Sequence, residues 1–460
     1  MTSLATRLRR TPLREWPTLE LSVAEASAVY AGAFLLSAAL GILRQALLNA
    51  RFGLGPEAAA YYAAFRLPET VTTLIAGGAL TNALVPVLLR AEVARGPHGG
   101  GDHAAARLVN RALTALLLLV TPLATLAAFT APAFVRYLLA PGFDPATQAL
   151  TATLTRIMLL EVLLVISEAA LVALLVSRNQ VLLPALAITL RNLTLIGGVL
   201  VAIAVPAVGI FGPTIGAILD ALIQLAILTP GLRRRGYRPR FELALHDPEL
   251  RAAARLLAPN AVSGAANYAG GVMDTAFASL TGVTAAVGAL LNASLLVGLP
   301  VRLLGMAIGQ ATLPEAALLG LRGDQRALRR LLRRTLLMAC GLATLAAAAL
   351  LFLGRPLIAL LFERGAFDQA AGDLTYGLLA LYALGLPAYV ATEIATRALI
   401  ARHDARTPML TNLAQLVGRA ALCAALIGPL GPAAIPSAFA LSSAAEAATL
   451  LLALRLHPRA

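Results

Sequence analysis

Seven arginines stand inside long apolar runs of this 460-residue chain: Arg44, Arg66, Arg156, Arg191, Arg302, Arg397 and Arg419. Glu69, Glu161, Glu168, Asp220, Asp274, Glu393 and Glu446 accompany them there. A guanidinium at bilayer depth costs about 2.5–3.5 kcal/mol on insertion scales, so each must pair, reach the interface or meet a ligand. Glu393 and Arg397 have the i,i+4 spacing of a pair on one helix face. In "LLSAALGILRQALLNARFG" (35–53), Arg44 precedes Arg51 by seven residues, which sets it roughly 10 Å deeper on a similar helix face. It either snorkels outward or faces a cavity, where its planar fork can grip phosphate oxygens in bidentate fashion. Asn49 adds a neutral donor nearby.

That chemistry is anion binding, and nothing in the chain points to bond breaking. There is no HExxH, GxSxG or P-loop pattern, which argues against a hydrolase or a nucleotide-driven pump. The five histidines, His98, His103, His246, His403 and His457, fall in expected cytoplasmic loops or the tail and cannot relay protons within the membrane. "GPHGGGDH" (96–103) reads as a flexible glycine-rich loop. Cys340 and Cys423 lie in apolar runs without CxxC spacing, so neither a disulfide framework nor a zinc site is indicated.

The elements that must position these charges are membrane helices. Hydrophobic residues make up 59% of the chain, charged residues 13%, and the mean hydropathy is +0.80, too apolar for a soluble protein. Windows of roughly 20 apolar residues predict about twelve transmembrane helices in an all-α polytopic fold. Lysine is absent, all 37 basic residues being arginine, and the net charge is +14. With the N-terminus inside, 26 arginines fall on the cytoplasmic side and four, Arg51, Arg136, Arg355 and Arg364, in outer connections. That asymmetry follows the positive-inside rule and makes nucleic acid an unnecessary partner. The first 21 residues carry no apolar h-region, so no cleaved signal peptide is expected.

The chain divides into a cytoplasmic N-terminal segment (1–24), an N-lobe of helices 1–6 (25–232), a basic cytoplasmic linker (233–250), a C-lobe of helices 7–12 (251–456) and a cytoplasmic tail (457–460). The lobes repeat. At an offset of 224, Pro132 matches Pro356, Phe143-Asp144 matches Phe367-Asp368, Leu150-Thr151 matches Leu374-Thr375, Arg178 matches Arg402 and Pro184 matches Pro408. At 228, "GGALTNALVP" (77–86) lies over "GMAIGQATLP" (305–314). An even number of spans keeps both lobes in one orientation, predicting two parallel six-helix lobes around a central cavity, the architecture of a transporter.

Several stretches resemble the MurJ/MviN lipid II flippase family of the multidrug/oligosaccharidyl-lipid/polysaccharide exporter superfamily. They are "LGILRQALLNARFGLGPEAAAYYAAFRLP" (40–68), "GALTNALVPVL" (78–88), "MDTAFAS" (273–279), "LPVRLLGMAIGQATLP" (299–314), "LFERGAFD" (361–368), "YALGLPAY" (382–389) and "ARHDARTP" (401–408). The resemblance implies a flippase that moves an undecaprenyl-diphosphate-linked peptidoglycan precursor from the inner to the outer leaflet by alternating access. It also exposes departures. Ser37-Ala38 stands where the family reads Ser-Arg, Arg44-Gln45 where Arg-Asp is usual, Thr72-Thr73 where a basic pair is expected, Gly77 at an acidic position and Ser294-Leu295 at an Asp-Arg. The family's two further C-terminal helices do not follow before Ala460. Of the arginines that line the family's cavity only Arg44 carries over, while Arg302 occupies a slot that is normally small and corresponds through the repeat to Leu74.

The expected headgroup-binding residues are therefore Arg44, Arg302, Asn49 and Arg66. No cofactor, metal or catalytic residue is expected, and membrane potential or an ion gradient is the energy source open to the chain. Its expected partners are the lipid-linked precursor and membrane lipids, with the protein a monomer in the cytoplasmic (inner) membrane, both termini inside. The alternatives are an exporter of another polyprenyl-linked glycan or amphiphile, favoured by the lost arginines, and a non-transporting membrane partner.

Overall fold

The computed structural model describes residues 22–76, 79–93, 100–234, 237–244, 246–322, 324–401, 404 and 406–456. The N-terminal arginines, Gly77, Arg402, His403 and the 457–460 tail lie outside the described residues. Among the described residues every regular element is helical. In order they are α1 (Val23–Phe52), α2 (Pro56–Ala76), α3 (Ala79–Val93), α4 (Gly100–Phe134), α5 (Pro145–Ser177), α6 (Leu182–Ala204) and α7 (Phe211–Arg234). Then follow α8 (Pro248–Leu280), α9 (Ala285–Pro300), α10 (Ile308–Leu321), α11 (Gln325–Phe362), α12 (Gln369–Ala401), α13 (Arg406–Leu430) and α14 (Ala434–Leu456).

Hydrocarbon cannot satisfy backbone N–H and C=O groups, so apolar alanine- and leucine-rich runs fold into helices that satisfy their own. Nine described helical stretches are long and apolar enough to cross a membrane, the last of them, Arg406–Leu454, holding two helices. α2 with α3, and α9 with α10, each share one predicted span, which fits about twelve spans. Two helices widen into π-turns just after a proline: Val135–Leu139 follows Pro132, and Val301–Ala307 follows Pro300. Proline lacks the N–H that would close the preceding turn and its ring presses on the carbonyl behind it; a wider turn relieves both, and such bulges often sit at functional positions.

The sequence repeat is visible element by element. α5 and α12 are each 33 residues long and both their bounds are 224 residues apart. Asp144 and Asp368 each precede one of these helices and accept from its first-turn amides, Ala146 and Thr147 in one case and Ala371 in the other. Phe143 and Phe367 are buried before the caps, and Thr151 and Thr375 are fully buried after them. Pro184 and Pro408 are both the third residue of their helix, where a missing N–H leaves no intrahelical bond unmade.

By contact density the chain forms two units. Unit 1 comprises Met1–Arg51, Ala64–Val135 and Gln148–Tyr268, and unit 2 comprises Phe52–Ala63, Arg136–Thr147 and Ala269–Ala460. Unit 1 has a core where Leu84, Leu88, Leu108 and Leu174 meet Leu228 and Tyr237. The linker is tied into this unit as a strap over α4. The Tyr237 hydroxyl donates to the Asn110 side-chain carbonyl at 2.8 Å, Asn110 donates to the Arg238 carbonyl at 3.1 Å, and the Glu242 amide donates to Thr114 Oγ1 at 3.1 Å. Arg111 pairs with both Glu242 and Asp247. Burial would raise the Asp247 carboxyl, but the Arg111 hydrogen bond and the Glu249 and Leu250 amides outweigh it and hold the group below its ordinary value.

Unit 2 gathers two first-half turns onto second-half backbone. Gly142 donates its amide to Ser279 Oγ at 3.1 Å, and a Cβ on it would stand 2.2 Å from the Ser279 carbonyl oxygen. Gly53, at φ +58°, would place a Cβ 2.5 Å from the Ala366 carbonyl oxygen. These contacts are reciprocal under the repeat, since Ala366 is the counterpart of Gly142 at 224 and Leu280 that of Phe52 at 228.

Candidate functional site

Arg44 is positioned by the way α1 seats on α6. Ser37 Oγ donates to the Ile188 carbonyl, Asn192 returns two bonds of 2.9 Å to Ser37, and Arg51 Nε reaches the Ala202 carbonyl at 3.2 Å. α6 is in turn held against α7 by a glycine crossing: a Cβ on Gly198 would lie 2.7 Å from the Gly212 carbonyl oxygen. Such close backbone approach is how membrane helices pack without a hydrophobic drive between them. It also brings Arg191 of α6 beside Asp220 of α7.

There Arg191 bridges two carboxylates on different helices, Glu161 of α5 at 3.5 Å and Asp220 at 3.7 Å. Each carboxylate side chain is only 2% exposed. Gln224 adds a 2.8 Å bond to Asp220, yet Glu161 Oε2 and Asp220 Oδ1 have no hydrogen-bond partner among the described residues. Arg44 lies within electrostatic range of Asp220, but makes no ion pair among the described residues. Asn49 is fully buried and accepts from Gln45 at 3.1 Å, one turn away on the same helix.

The remaining intramembrane arginines sort by partner. Arg66 pairs with Glu69 at 3.3 Å, Arg397 with Glu393 at 2.5 Å, and Arg419 with Asp274 while lying 4.9 Å from the centre of the Phe439 ring. Arg156 donates to the Ala128 carbonyl at 2.9 Å. Arg302, exposed on the π-turn after α9, makes no ion pair among the described residues. Of the seven span arginines, therefore, Arg44 and Arg302 are the two whose guanidinium groups meet neither a carboxylate nor a carbonyl among the described residues. A guanidinium left so has its full fork available to an anion.

Comparison with known proteins assigns the family. The profile of "Lipid II flippase MurJ" matches residues 48–459. The chain belongs to the MurJ lipid II flippase family. This is a family of membrane transporters, not enzymes. The chain is 32% identical over 397 residues to "Probable lipid II flippase MurJ" of Rhizobium meliloti (strain 1021), covering 85% of this chain and 72% of that one. It is 26% identical over 392 residues to "Lipid II flippase MurJ" of Burkholderia cenocepacia, covering 84% and 75%. Among solved structures, "Lipid II flippase MurJ, inward closed conformation" superposes with a TM-score of 0.78 at 20% identity, over 93% of this chain and 87% of that one. A multidrug resistance MATE transporter in an inward-facing conformation gives 0.77 at 14% identity, over 92% and 94%. At these identities the two structures establish the shared fold.

Against the family's pattern, the neutral Gln45 that replaces an acidic residue is buried at 3% exposure and bonds Asn49. Ser294, at a position where the family has Asp-Arg, turns its hydroxyl to the Leu291 carbonyl of its own helix. The Glu393–Arg397 pair was legible from i,i+4 spacing. The Glu161–Arg191–Asp220 bridge was not, because its members lie on three helices and no sequence interval encodes their meeting.

Proposed function

We propose that this chain is a flippase that carries the lipid-linked peptidoglycan precursor lipid II from the inner to the outer leaflet of the cytoplasmic membrane by alternating access, for cell-wall synthesis. The observation that carries the reading is the family match over residues 48–459, nearly the whole chain. Arg44 and Arg302 are the residues proposed to hold the diphosphate headgroup, supported by their lack of a carboxylate partner among the described residues. Two charge-assisted contacts of about 1.5–3 kcal/mol each are similar to the cost of placing two guanidinium groups at membrane depth. Arg66, paired with Glu69, and Asn49, buried against Gln45, are assigned supporting places beside them. The protein works as a monomer with both termini cytoplasmic, drawing on membrane potential or an ion gradient.

The test replaces the host's principal lipid II flippase with this chain and follows arrival of lipid-linked precursor at the outer leaflet, normalised to protein level. Arg44→Ala and Arg302→Ala each impair transport without removing the protein from the membrane, and Arg44→Lys rescues in part because a point charge lacks the planar fork. An Arg44→Ala protein that flips as well as the parent refutes the headgroup assignment. Failure of the parent chain itself, present in the membrane, redirects the reading to another polyprenyl-linked glycan, which the neutral Thr72-Thr73 and Ser294 favour. Orientation is tested separately in a Cys-free background: Ala370→Cys labels with an impermeant thiol reagent from outside and Phe241→Cys does not, both positions being exposed.

A further inference from the structure

A cavity of about 500 Å³ lies between α13 and α14 in unit 2, lined by Thr411, Gln415, Ser442, Glu446 and Thr449 with alanine, glycine and leucine between them. Glu446 is the thirteenth of the 23 residues of α14, so it sits near mid-bilayer, roughly 18 Å along the helix. It is 7% exposed, the little it shows faces this cavity, and it makes neither an ion pair nor a hydrogen bond among the described residues. The charge acting on it is that of another carboxylate, Glu393, which is already paired with Arg397. A carboxylate so placed lacks a cation.

The three hydroxyls lining the cavity have spent their protons on carbonyls of their own helices, and Gln415 uses one of its two N–H groups on Ser442. Thr411 donates to the Pro408 carbonyl at 3.1 Å, Ser442 to Phe439 at 3.2 Å and Thr449 to Ala445 at 2.8 Å, while the Gln415 amide nitrogen donates to Ser442 Oγ at 3.0 Å. Three hydroxyls whose protons point back into their own helices, a side-chain carbonyl and a carboxylate present lone pairs to the cavity. A ligand for such a wall must bring donors and positive charge, and its body must suit apolar walls at bilayer depth. A protonated primary amine has three N–H donors and no acceptor, and the volume is that of a small-molecule site. We propose that this cavity binds the primary ammonium head of a cationic amphiphile, with Glu446 as counter-ion and Gln415, Ser442 and the two threonines as acceptors. Neither Arg44 nor Arg302 lines this cavity, and the proposal does not depend on which lipid the chain carries.

The test titrates the purified full-length protein, in non-ionic detergent at pH 7, with four probes of one chain length: dodecylammonium, dodecyltrimethylammonium, dodecanol and dodecyl phosphate. Dodecylammonium binds about tenfold or more tightly than dodecyltrimethylammonium, which has charge but no N–H, and tighter still than the neutral and anionic probes. Glu446→Gln abolishes the preference for cations over dodecanol, and Gln415→Ala weakens the primary amine severalfold while leaving the trimethyl probe unchanged. Equal binding of the two cations, or of dodecylammonium and dodecanol, overturns the proposal on the parent protein alone, without any variant having to fold. Undiminished dodecylammonium binding by Glu446→Gln overturns it too.

Discussion

α5 to α7 and α12 to α14 are the same scaffold carrying opposite contents. Helix bounds, N-capping aspartates, buried Phe143 and Phe367, and third-position prolines coincide at 224 residues. Yet in that register Glu161 corresponds to Gly385, Arg191 to Gln415 and, one residue shorter between α7 and α14, Asp220 to Ser443. The first half fills the place with a bridged ionic cluster. The second closes it with Gly385, on which a Cβ would stand 2.9 Å from the Ala440 Cα, and a neutral Gln415–Ser442 bond. Caps, turns and helix lengths set the repeated backbone, and the charges inside it differ between the halves without changing those lengths. The comparison also shows what the second half lacks, for its Glu446 has no counterpart of Arg191.

The sharpest break of this comparison is Arg191→Ala against Gln415→Ala. Removing Arg191 strands two buried carboxylates and lowers stability by about 3 kcal/mol, the low end for a broken buried pair because 38% of its side chain remains exposed. Removing Gln415 costs about 0.5–1.5 kcal/mol, one neutral hydrogen bond. Thermal unfolding in detergent measures both, and equal losses would mean that the Arg191 bridge is no more than a surface pair.

Next in size are the reciprocal turn contacts. Gly142→Val and Gly53→Val each force side-chain volume into backbone and cost about 1–3 kcal/mol, Gly53 more because its left-handed φ also disfavours a β-branched residue. Faster hydrogen exchange across 136–147 reports the first and across 364–367 the second. If only one responds, the contacts are not equivalent.

Smaller effects come from the caps. Asp144→Ala and Asp368→Ala are expected to lower the melting temperature by similar amounts, since each removes acceptors for first-turn amides of equal-length helices. A large difference would show that the two turns are supported differently despite their shared sequence.

The smallest effect concerns acid. Asp247 is held below its ordinary value in the folded strap, so its contribution is present above the unfolded value and lost as pH falls through the folded one. Exchange of the 238–244 amides is therefore flat through neutral pH and rises only below the usual carboxylate range, whereas Arg111→Ala raises it at neutral pH. The Asp144 carboxyl, lowered chiefly by the Thr147 hydroxyl, follows the same direction.

The sequence by itself determined the membrane class, the approximate number of spans, the repeat and the family. These are written in local terms: apolar length, arginines in the connections, a capping aspartate one residue before a helix, a proline two residues into the next. It also carried the Glu393–Arg397 pair, because four residues on a helix bring two side chains to one face. Tertiary structure alone decided which charges were spent. Arg191 meets Glu161 and Asp220 only because the Gly198–Gly212 crossing draws α6 onto α7, and Arg419 meets Asp274 across 145 residues of chain. From composition the seven span arginines were equivalent candidates. Among the described residues Arg44 and Arg302 are distinguished from the other span arginines by meeting neither a carboxylate nor a carbonyl, and of the span carboxylates Glu168 and Glu446 make neither an ion pair nor a hydrogen bond. That is a property of packing, since whether a charge inside a membrane is satisfied depends on the groups a few ångströms away in space, and those come from other helices.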